Sequence, residues 1–228
     1  MFAVIFELCP RIDQTDVYLT YARMLRPELE QVDGFVDNIR YHSLTRDGWI
    51  LSISSWRDEK ALIRWRTQMR HHEAQEKGRT NIFSAYHLRV GQVTRDTRLP
   101  PGYALEEQRL DETAVGDGTT VTLIDATQPS DRVKDVGSTA IAQWLGLAPA
   151  AAGLVAWEVF DAVSTPGDVI LLASWREKAD AEAFERVASL PEGARLRHVR
   201  VVRDYGMFDR REAPQYYPDA PGAEGLHS

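Results

Sequence analysis

Cysteine is nearly absent from this 228-residue sequence, which has Cys9 alone. A single cysteine excludes an internal disulfide and is typical of a protein from a reducing compartment. The sequence also lacks an apolar run of the roughly 18 residues that a membrane-spanning helix requires. Its first residues lack the basic region and the small-residue cleavage site of a signal peptide. We therefore expect a cytoplasmic protein with no membrane partner.

The sequence also has fewer basic residues than acidic residues. Lysine and arginine number 27 against 34 aspartate and glutamate residues, which gives a formal net charge of −7. The most basic stretch, residues 64–79, is interrupted by Glu73 and Glu76, so it does not form the basic stripe of a nucleic-acid-binding protein. We therefore expect no nucleic-acid partner.

Several signatures of cofactor and metal chemistry are also missing. The sequence has no Gly-rich dinucleotide fingerprint, P-loop, GxSxG, CxxC or HExxH motif. Its six histidines have no spacing that is typical of metal ligands. These absences argue against a metal site and against a flavin or nicotinamide site with a recognised motif.

What the sequence does contain is an internal repeat. The segment GFVDNIRYHSLTRDGWILSISSWR begins at Gly34 and GLVAWEVFDAVSTPGDVILLASWR begins at Gly153, an offset of 119 residues. The same offset aligns Trp56 with Trp175. A repeat of this length is neither a solenoid unit nor a low-complexity tract, so it indicates a small domain that was duplicated and fused.

The two copies share one order of predicted elements. In the first copy, apolar alternation and turn residues predict strands at 2–8, 35–43, 49–56 and 86–93. Helices are predicted after Thr15 or Asp16 and from Asp58 to about Lys77, with Gly78 as the stop. In the second copy the same patterns predict strands at 119–126, 154–163, 169–175 and 196–204, and helices at 131–145 and 178–190.

The β-α-β-β-α-β order is that of a ferredoxin-like unit. We predict an α+β fold of two such repeats, divided into a first domain (1–96), a linker (97–118), a second domain (119–204) and an extended tail (205–228). A four-stranded antiparallel sheet with both helices on one face leaves its other face bare. Packing the two bare faces together would enclose a barrel-like core.

The first copy also carries a distinctive series of residues: Gly34-Phe35, Ser55 to Glu59, Trp65-Arg66, His72, Ala74-Gln75, Gly78-Arg79, Phe83, Tyr86 and Val90. In this series and in its element order the chain resembles the antibiotic biosynthesis monooxygenase (ABM) domain, over residues 2–96 and more weakly over 119–214. The resemblance implies the dimeric α+β-barrel fold. Relatives include cofactor-free oxygenases of aromatic polyketides, quinol monooxygenases and heme-degrading monooxygenases.

His72 is the first candidate for catalysis. If the second helix runs unbroken, one face carries residues at steps of three and four: Leu62, Trp65, Met69, His72, Gln75 and Arg79. His71 would then point elsewhere. An imidazole at the end of this face could act as a general base or as an axial ligand to heme iron. The alternative is a helix-end histidine that hydrogen-bonds to strand carbonyls.

Glu7 and Asn38 are further candidates, on predicted strands. A carboxylate that faces an apolar cavity would have a raised pKa and could serve as a base, although Glu7 could instead face solvent or pair with an arginine. Asn38 could orient a phenol or stabilise an enolate oxygen, or could make a cross-strand contact. In heme-degrading relatives a tryptophan, a histidine and a strand asparagine surround the heme. Trp65 and His72 correspond to the tryptophan and the histidine, but this sequence has Glu7 where those relatives have the strand asparagine.

The second copy has lost this polar set. Under the repeat alignment Glu7, Asn38, Trp65 and His72 are replaced by Ala126, Trp157, Phe184 and Pro191, and residues 72–83 have no counterpart. We therefore predict one functional site per chain, in the first copy.

From the resemblance and these residues we expect a cofactor-independent monooxygenase that acts on an electron-rich aromatic molecule of polyketide or quinol type. The expected catalytic residues are His72, Asn38 and Glu7, and the expected substrate-binding residues are Trp65, Arg79, Gln75 and Met69. One alternative is a heme-binding or heme-degrading monooxygenase with His72 as axial ligand; another is a non-catalytic binding protein that uses the cavity. The tail could cover a pocket or clasp another chain, and a homodimer is left open.

Overall fold

The fold was analysed in a computed structural model, which describes residues 1–129, 137–148 and 150–215. The first half contains β1 (Phe2–Pro10), α1 (Thr15–Glu30), β2 (Phe35–Ser43), β3 (Ile50–Trp56), α2 (Glu59–Thr67), α3 (Met69–Lys77), a π-helical turn (Gly78–Ile82) and β4 (Phe83–Asp96). The second half contains β5 (Thr120–Thr127), α4 (Ser138–Trp144), β6 (Leu154–Ala162), β7 (Asp168–Trp175), α5 (Lys178–Val187) and β8 (Arg195–Gly206). Much of the helix predicted at 131–145 and most of the predicted tail lie outside the described residues.

The strands form one closed antiparallel barrel in the order β1-β3-β2-β6-β7-β5-β8-β4. The two halves meet twice, through a short β2–β6 pairing around His42 and Asp161 and through a long β4–β8 pairing from His87–Gly206 to Asp96–Arg197. The predicted α+β fold of two ferredoxin-like repeats is confirmed. Both seams join strands of the same chain, so the pairing of the halves is intramolecular.

Because successive side chains of a strand point in opposite directions, the barrel wall has two apolar faces, one toward its interior and one toward the helices. On β1, Ala3 and Ile5 point into the barrel, whereas Val4 and Phe6 point toward the helices. The barrel interior is filled by buried side chains from all around it, among them Met1, Leu51, Leu123, Phe160, Leu172 and Val201. Each such side chain contributes about 1.5–3 kcal/mol when fully buried. The described part of the interior is therefore a packed core.

Glycine marks the turn before the second strand of each half. Gly34 and Gly153 have φ angles of 89° and 75°, in the left-handed region that favours glycine. A Cβ atom built on Gly34 would lie 2.7 Å from the Cβ atom of Ala61 in α2. The turn therefore requires glycine in both copies, which explains why the repeat retains it.

The helix predicted from Asp58 to Lys77 is two helices. The start is as predicted, because the Asp58 carboxylate accepts a hydrogen bond of 2.7 Å from the Ala61 amide. The helix ends at Thr67, however, because Gln68 has extended backbone angles (φ −63°, ψ 131°) and begins a new helix. The predicted end at about Lys77 is confirmed, since α3 ends at Lys77 with Gly78 as its C-cap, and the chain continues there into the π-helical turn.

The segment between the halves, residues 97–119, packs against the barrel. Side chains of Leu99, Tyr103 and Leu105 contact the interior core. The side-chain oxygen of Gln92 accepts 2.8 Å hydrogen bonds from the amides of Gln108 and Arg109. This segment thus closes the core in addition to connecting the halves.

The second half has no counterpart of α3 or of the π-helical turn, since α5 is followed by β8 after a short loop. Its helices pack tightly on its sheet: Trp175 stacks on Phe184 with ring centroids 5.0 Å apart. Among the described residues, no helix is long and apolar enough to cross a membrane.

Candidate active site

A cavity of about 230 Å³ lies between the outer face of the first-half sheet and helices α1 to α3. Its wall is mainly apolar and includes Phe6, Leu25, Leu62, Trp65, Phe83 and Leu88. The sheet residues of this wall alternate with those that fill the barrel, so one set of strands supports both the core and the cavity. The cavity coincides with the helical segment that the second copy lacks.

Positive charge is concentrated in this wall. Four arginines line the cavity: Arg40, Arg66, Arg79 and Arg210. The described residues that line it include no aspartate or glutamate. Arginine stays protonated at every physiological pH. The described part of the cavity wall therefore combines apolar side chains with several guanidinium groups.

Two of these arginines meet at one tyrosine. The hydroxyl of Tyr86 accepts hydrogen bonds from Nη1 of Arg79 (3.3 Å) and from Nη1 of Arg210 (2.8 Å). Arg79 is buried and also donates to the carbonyl of Met207, and the Arg210 guanidinium lies over the Tyr205 ring at 5.3 Å. A third arginine, Arg40, donates from Nε to the hydroxyl of Tyr18 (3.2 Å).

His71 is the histidine that lines the cavity. Its ring stacks on the indole of Trp65, with centroids 4.4 Å apart and an interplanar angle of 17°. Its Nδ1 lies 2.9 Å from the Trp65 carbonyl oxygen, so Nδ1 carries the hydrogen and Nε2 is the proton acceptor. Burial lowers the pKa of His71 to about 4, although the hydrogen bond to the Trp65 carbonyl acts in the opposite direction. The free site therefore holds a neutral imidazole.

The structure separates the sequence-predicted residues into two groups. Asn38, Trp65, Gln75 and Arg79 line the cavity together. The side chains of Met69 and His72 are exposed, and neither lines the cavity. The predicted placement of these two residues is wrong because it assumed an unbroken helix.

The break at Gln68 explains the error. Its side-chain oxygen accepts a 2.8 Å hydrogen bond from the amide of His71, which starts α3 in a new register. The residues of α3 are consequently rotated relative to the face that Leu62 and Trp65 define on α2. His71 takes the inward position that unbroken counting assigns to His72.

Asn38 lines the cavity, but its amide group is used by the sheet. Nδ2 donates to the Ser52 hydroxyl and to the Ile53 carbonyl, both at 3.0 Å. Its two N–H groups are therefore occupied, and donation to an enolate or phenolate would require them to leave these partners. The hydroxyls of Ser52 and Tyr18 are alternative polar groups in the wall.

Glu7 lies on the opposite face of the sheet from the cavity. It is 6% exposed and forms ion pairs with Arg89 and Arg46. Burial alone would raise the pKa of Glu7, but the charge of Arg89, a hydrogen bond from His87 and the charge of Arg46 outweigh it and lower the pKa to about 2. Of the alternatives for Glu7, the structure shows the pairing with arginine and not the raised pKa, because the carboxylate faces arginines and not an apolar cavity.

Sequence reasoning missed several residues of the cavity. Tyr86 is recoverable from alternation, since it precedes Leu88 and Val90 on the same face of β4. Tyr205, Arg210 and Gln215 come from the far end of the chain, and no local pattern predicts their position. The described part of the tail therefore contributes to the cavity wall, in agreement with the alternative that the tail covers a pocket. Residues from 216 onward lie outside the described residues.

Two comparisons with known proteins point to one family. The model of the family described as antibiotic biosynthesis monooxygenase matches residues 1–77. A protein of Pyricularia oryzae named Jasmonate monooxygenase ABM is 51% identical over 225 residues, which cover 96% of this chain and 100% of that protein. The uncharacterized protein YqjZ of Bacillus subtilis is 32% identical over 96 residues, or 41% of this chain and 80% of that protein. A solved structure, Rv0793 from Mycobacterium tuberculosis, matches 47% of this chain and 98% of its own at 19% identity and a TM-score of 0.35.

Proposed function

This chain belongs to the antibiotic biosynthesis monooxygenase family, and we propose that its substrate is a small, mostly apolar carboxylate of the jasmonate class. The observation that carries the proposal is the mainly apolar cavity of about 230 Å³, in which Arg66 has a buried Nε with no hydrogen-bond partner among the described residues. The name of the Pyricularia oryzae relative points to the same class. A jasmonate has a cyclopentanone ring and two chains, one of which ends in a carboxylate.

Charge is the argument for this class over the electron-rich aromatic molecule, of polyketide or quinol type, that the sequence suggests. A guanidinium group taken from water into an apolar wall loses hydration, and a paired anion offsets that loss. A hydrogen bond that involves a charged group contributes about 1.5–3 kcal/mol. A neutral quinol has no charged acceptor for the unpartnered Nε of Arg66, so a carboxylate suits this group better.

We propose His71 as the base of the reaction, in place of His72. A ring ketone such as that of a jasmonate is acidic at the adjacent carbon, and Nε2 of His71 would accept the proton that leaves this carbon. A pKa near 4 makes the free imidazole a weak base. The negative charge of a bound carboxylate would raise the pKa of His71 toward neutrality and so strengthen the base when substrate is present.

The proposed reaction needs no external reductant. The enolate formed by deprotonation passes an electron to O₂, and the two radicals combine into a peroxide on the same carbon. The proton held by His71 returns to the peroxide, the O–O bond breaks as the second hydrogen leaves that carbon, and the products are a new carbonyl and water. One oxygen atom enters the substrate, the other enters water, and the substrate supplies all four electrons.

The heme alternative fits the cavity less well. The histidine predicted as axial ligand, His72, is exposed and lies outside the cavity wall. A cavity of about 230 Å³ is also below the roughly 300 Å³ at which pockets for drug-sized ligands begin, and heme is larger than such ligands. Titration with hemin tests this alternative: a sharp Soret band that His71→Ala or His72→Ala abolishes would support it.

Oxygen consumption tests the proposed function. Purified protein is supplied with jasmonic acid, with its methyl ester and with a panel of quinols, and the product is analysed by mass spectrometry under ¹⁸O₂. We expect uptake with the acid and one ¹⁸O atom per product molecule. Uptake with quinols alone would replace the carboxylate by the aromatic class, and no uptake with any compound would favour the non-catalytic binding protein.

A further inference from the structure

We propose that Arg66 of the first half and Tyr205 of the second half together bind the carboxylate of the substrate. This inference rests on the proposed function, since it says which groups hold the anionic end of that substrate. Tyr205 lies beyond residues 1–77, which the family model matches, so it assigns part of the specificity to a segment outside that match.

Arg66 carries a buried N–H group that no described residue accepts. It is part of α2 and lines the cavity, and its Nε is buried with no hydrogen-bond partner among the described residues. Arg64 on the same helix is, by contrast, exposed and paired with Asp33. An N–H group that leaves water without finding an acceptor is unfavourable. An oxygen atom of a ligand in the cavity is therefore the acceptor that would satisfy Nε of Arg66.

Tyr205 is a second, independent indication. It lies near the end of β8, opposite Leu88 of β4, lines the same cavity and is 8% exposed. Its hydroxyl makes no hydrogen bond within the part of the chain that the structure describes, although a buried tyrosine hydroxyl usually has a partner. Burial raises the pKa of Tyr205 to about 12, so the hydroxyl keeps its proton and can donate it to a carboxylate.

The two residues are close enough to act on one ligand group. Burial is the main cause of the raised pKa of Tyr205, and the charge of Arg66 is among the charges that act against it, so the two side chains lie within electrostatic range of each other. A carboxylate can accept hydrogen bonds from Nε and a neighbouring Nη of one arginine and still accept from a hydroxyl. A cationic donor and a neutral donor in the same wall therefore suit a carboxylate.

The proposed carboxylate site adjoins the histidine that we propose as base. Arg66 follows Trp65, whose carbonyl accepts a 2.9 Å hydrogen bond from Nδ1 of His71 and whose indole stacks on the His71 ring. A carboxylate at Arg66 therefore lies at the helical side of the cavity, as His71 does. The acid chain of jasmonic acid is short, so its ring would stay beside Nε2 of His71 when the carboxylate is bound there.

Ligand binding tests this site without relying on turnover. Jasmonic acid and methyl jasmonate are titrated into the full chain by calorimetry. We expect wild type to bind the acid about tenfold or more tightly than the ester, the effect of one hydrogen bond to a charged group. R66Q should lose about tenfold or more in affinity for the acid and change little for the ester, and R66K should recover part of the loss. Y205F should lose about threefold or more for the acid.

R64Q and Y103F are the matched controls. Arg64 is an exposed arginine of the same helix, and Tyr103 packs against the barrel core from the connection between the halves. Both variants should bind the acid as wild type does. Equal losses in R66Q and R64Q, or an unchanged affinity for the acid in Y205F, would overturn the proposal. If a variant does not fold, the comparison of acid and ester in wild type still decides, since equal affinities contradict a carboxylate site.

The failure of this site and the failure of the proposed function are distinguishable. Binding of the acid that depends on Arg66 and Tyr205, without oxygen uptake, would leave the site in place and remove the reaction. Oxygen uptake with the acid at an unchanged KM in R66Q would leave the reaction in place and overturn the site.

Discussion

Two adjacent histidines have different environments, and the difference is the basis for proposing His71 as the base. His71 stacks on Trp65 and lines the cavity, whereas His72 is exposed. The residue types of a site can be recognised from sequence, but a one-residue error in helical register exchanges an inward and an outward side chain. The choice between these neighbours therefore required the structure.

Substitution of each histidine by glutamine should separate their roles. H71Q should lower kcat at least a hundredfold, because a general base contributes about 10²–10⁴ to a rate. H72Q should leave kcat within twofold of wild type. Both are measured by oxygen uptake with jasmonic acid, and a larger loss in H72Q than in H71Q would reverse the assignment.

Glu7 gives a pH-dependent stability prediction. Its pKa is about 2 in the folded protein against an ordinary value of 4.5, so its stabilising effect is present above pH 4.5 and is lost as the pH falls toward 2. E7Q should lower the free energy of unfolding by about 3 kcal/mol at pH 7, because it leaves Arg89 buried beside an uncharged group. The difference between wild type and variant should shrink below pH 4.5.

Urea denaturation at pH 7, 4.5 and 3 measures this effect. The control is E30Q, since Glu30 is half exposed and pairs with Arg26 on the surface of α1. It should cost less than about 0.5 kcal/mol. A constant difference between wild type and E7Q over the whole pH range would contradict the assigned cause.

At the scale of elements, the strands were predictable and the helix break was not. Each strand has one face in the barrel and one beneath the helices, so apolar alternation and turn residues locate it. The break at Gln68 depends on tertiary contacts: its side chain donates to Glu28 of α1 at 2.6 Å while it caps α3. No pattern within residues 58–77 contains that information. The position of Arg210 has the same origin, because Glu212 anchors it to residues distant in sequence.

The cap at Gln68 can be tested by removing it. Q68A should lower the free energy of unfolding by about 1 kcal/mol, the usual effect of losing a helix cap. Because the cap also sets the register of α3, affinity for jasmonic acid should fall as His71 loses its position. Q68N keeps a short capping amide and should recover part of both losses. Unchanged affinity in Q68A would show that packing on Trp65 alone positions His71.

At the scale of the whole molecule, the barrel closes within one chain, so no strand requires a partner from a second copy. The unfolding midpoint should therefore not depend on protein concentration over a hundredfold range, as it would if folding required association.

In the second half, Trp157, Phe184 and Trp175 occupy the space beneath the helices. Calorimetry should accordingly give one jasmonic acid per chain. A stoichiometry of two, or a midpoint that rises with concentration, would contradict this reading of the duplication.

The contribution of the end of β8 and the segment after it to the cavity wall has an evolutionary consequence. In a symmetric pair of identical chains, every substitution appears in both sites at once, so a change that helps one role of a residue also affects the other. Fusion removes that constraint, because the end of β8 and the segment after it can vary while the first half keeps its own part of the cavity wall. The cavity wall can then change at Tyr205, Arg210 and Gln215 without any alteration to α2 and α3.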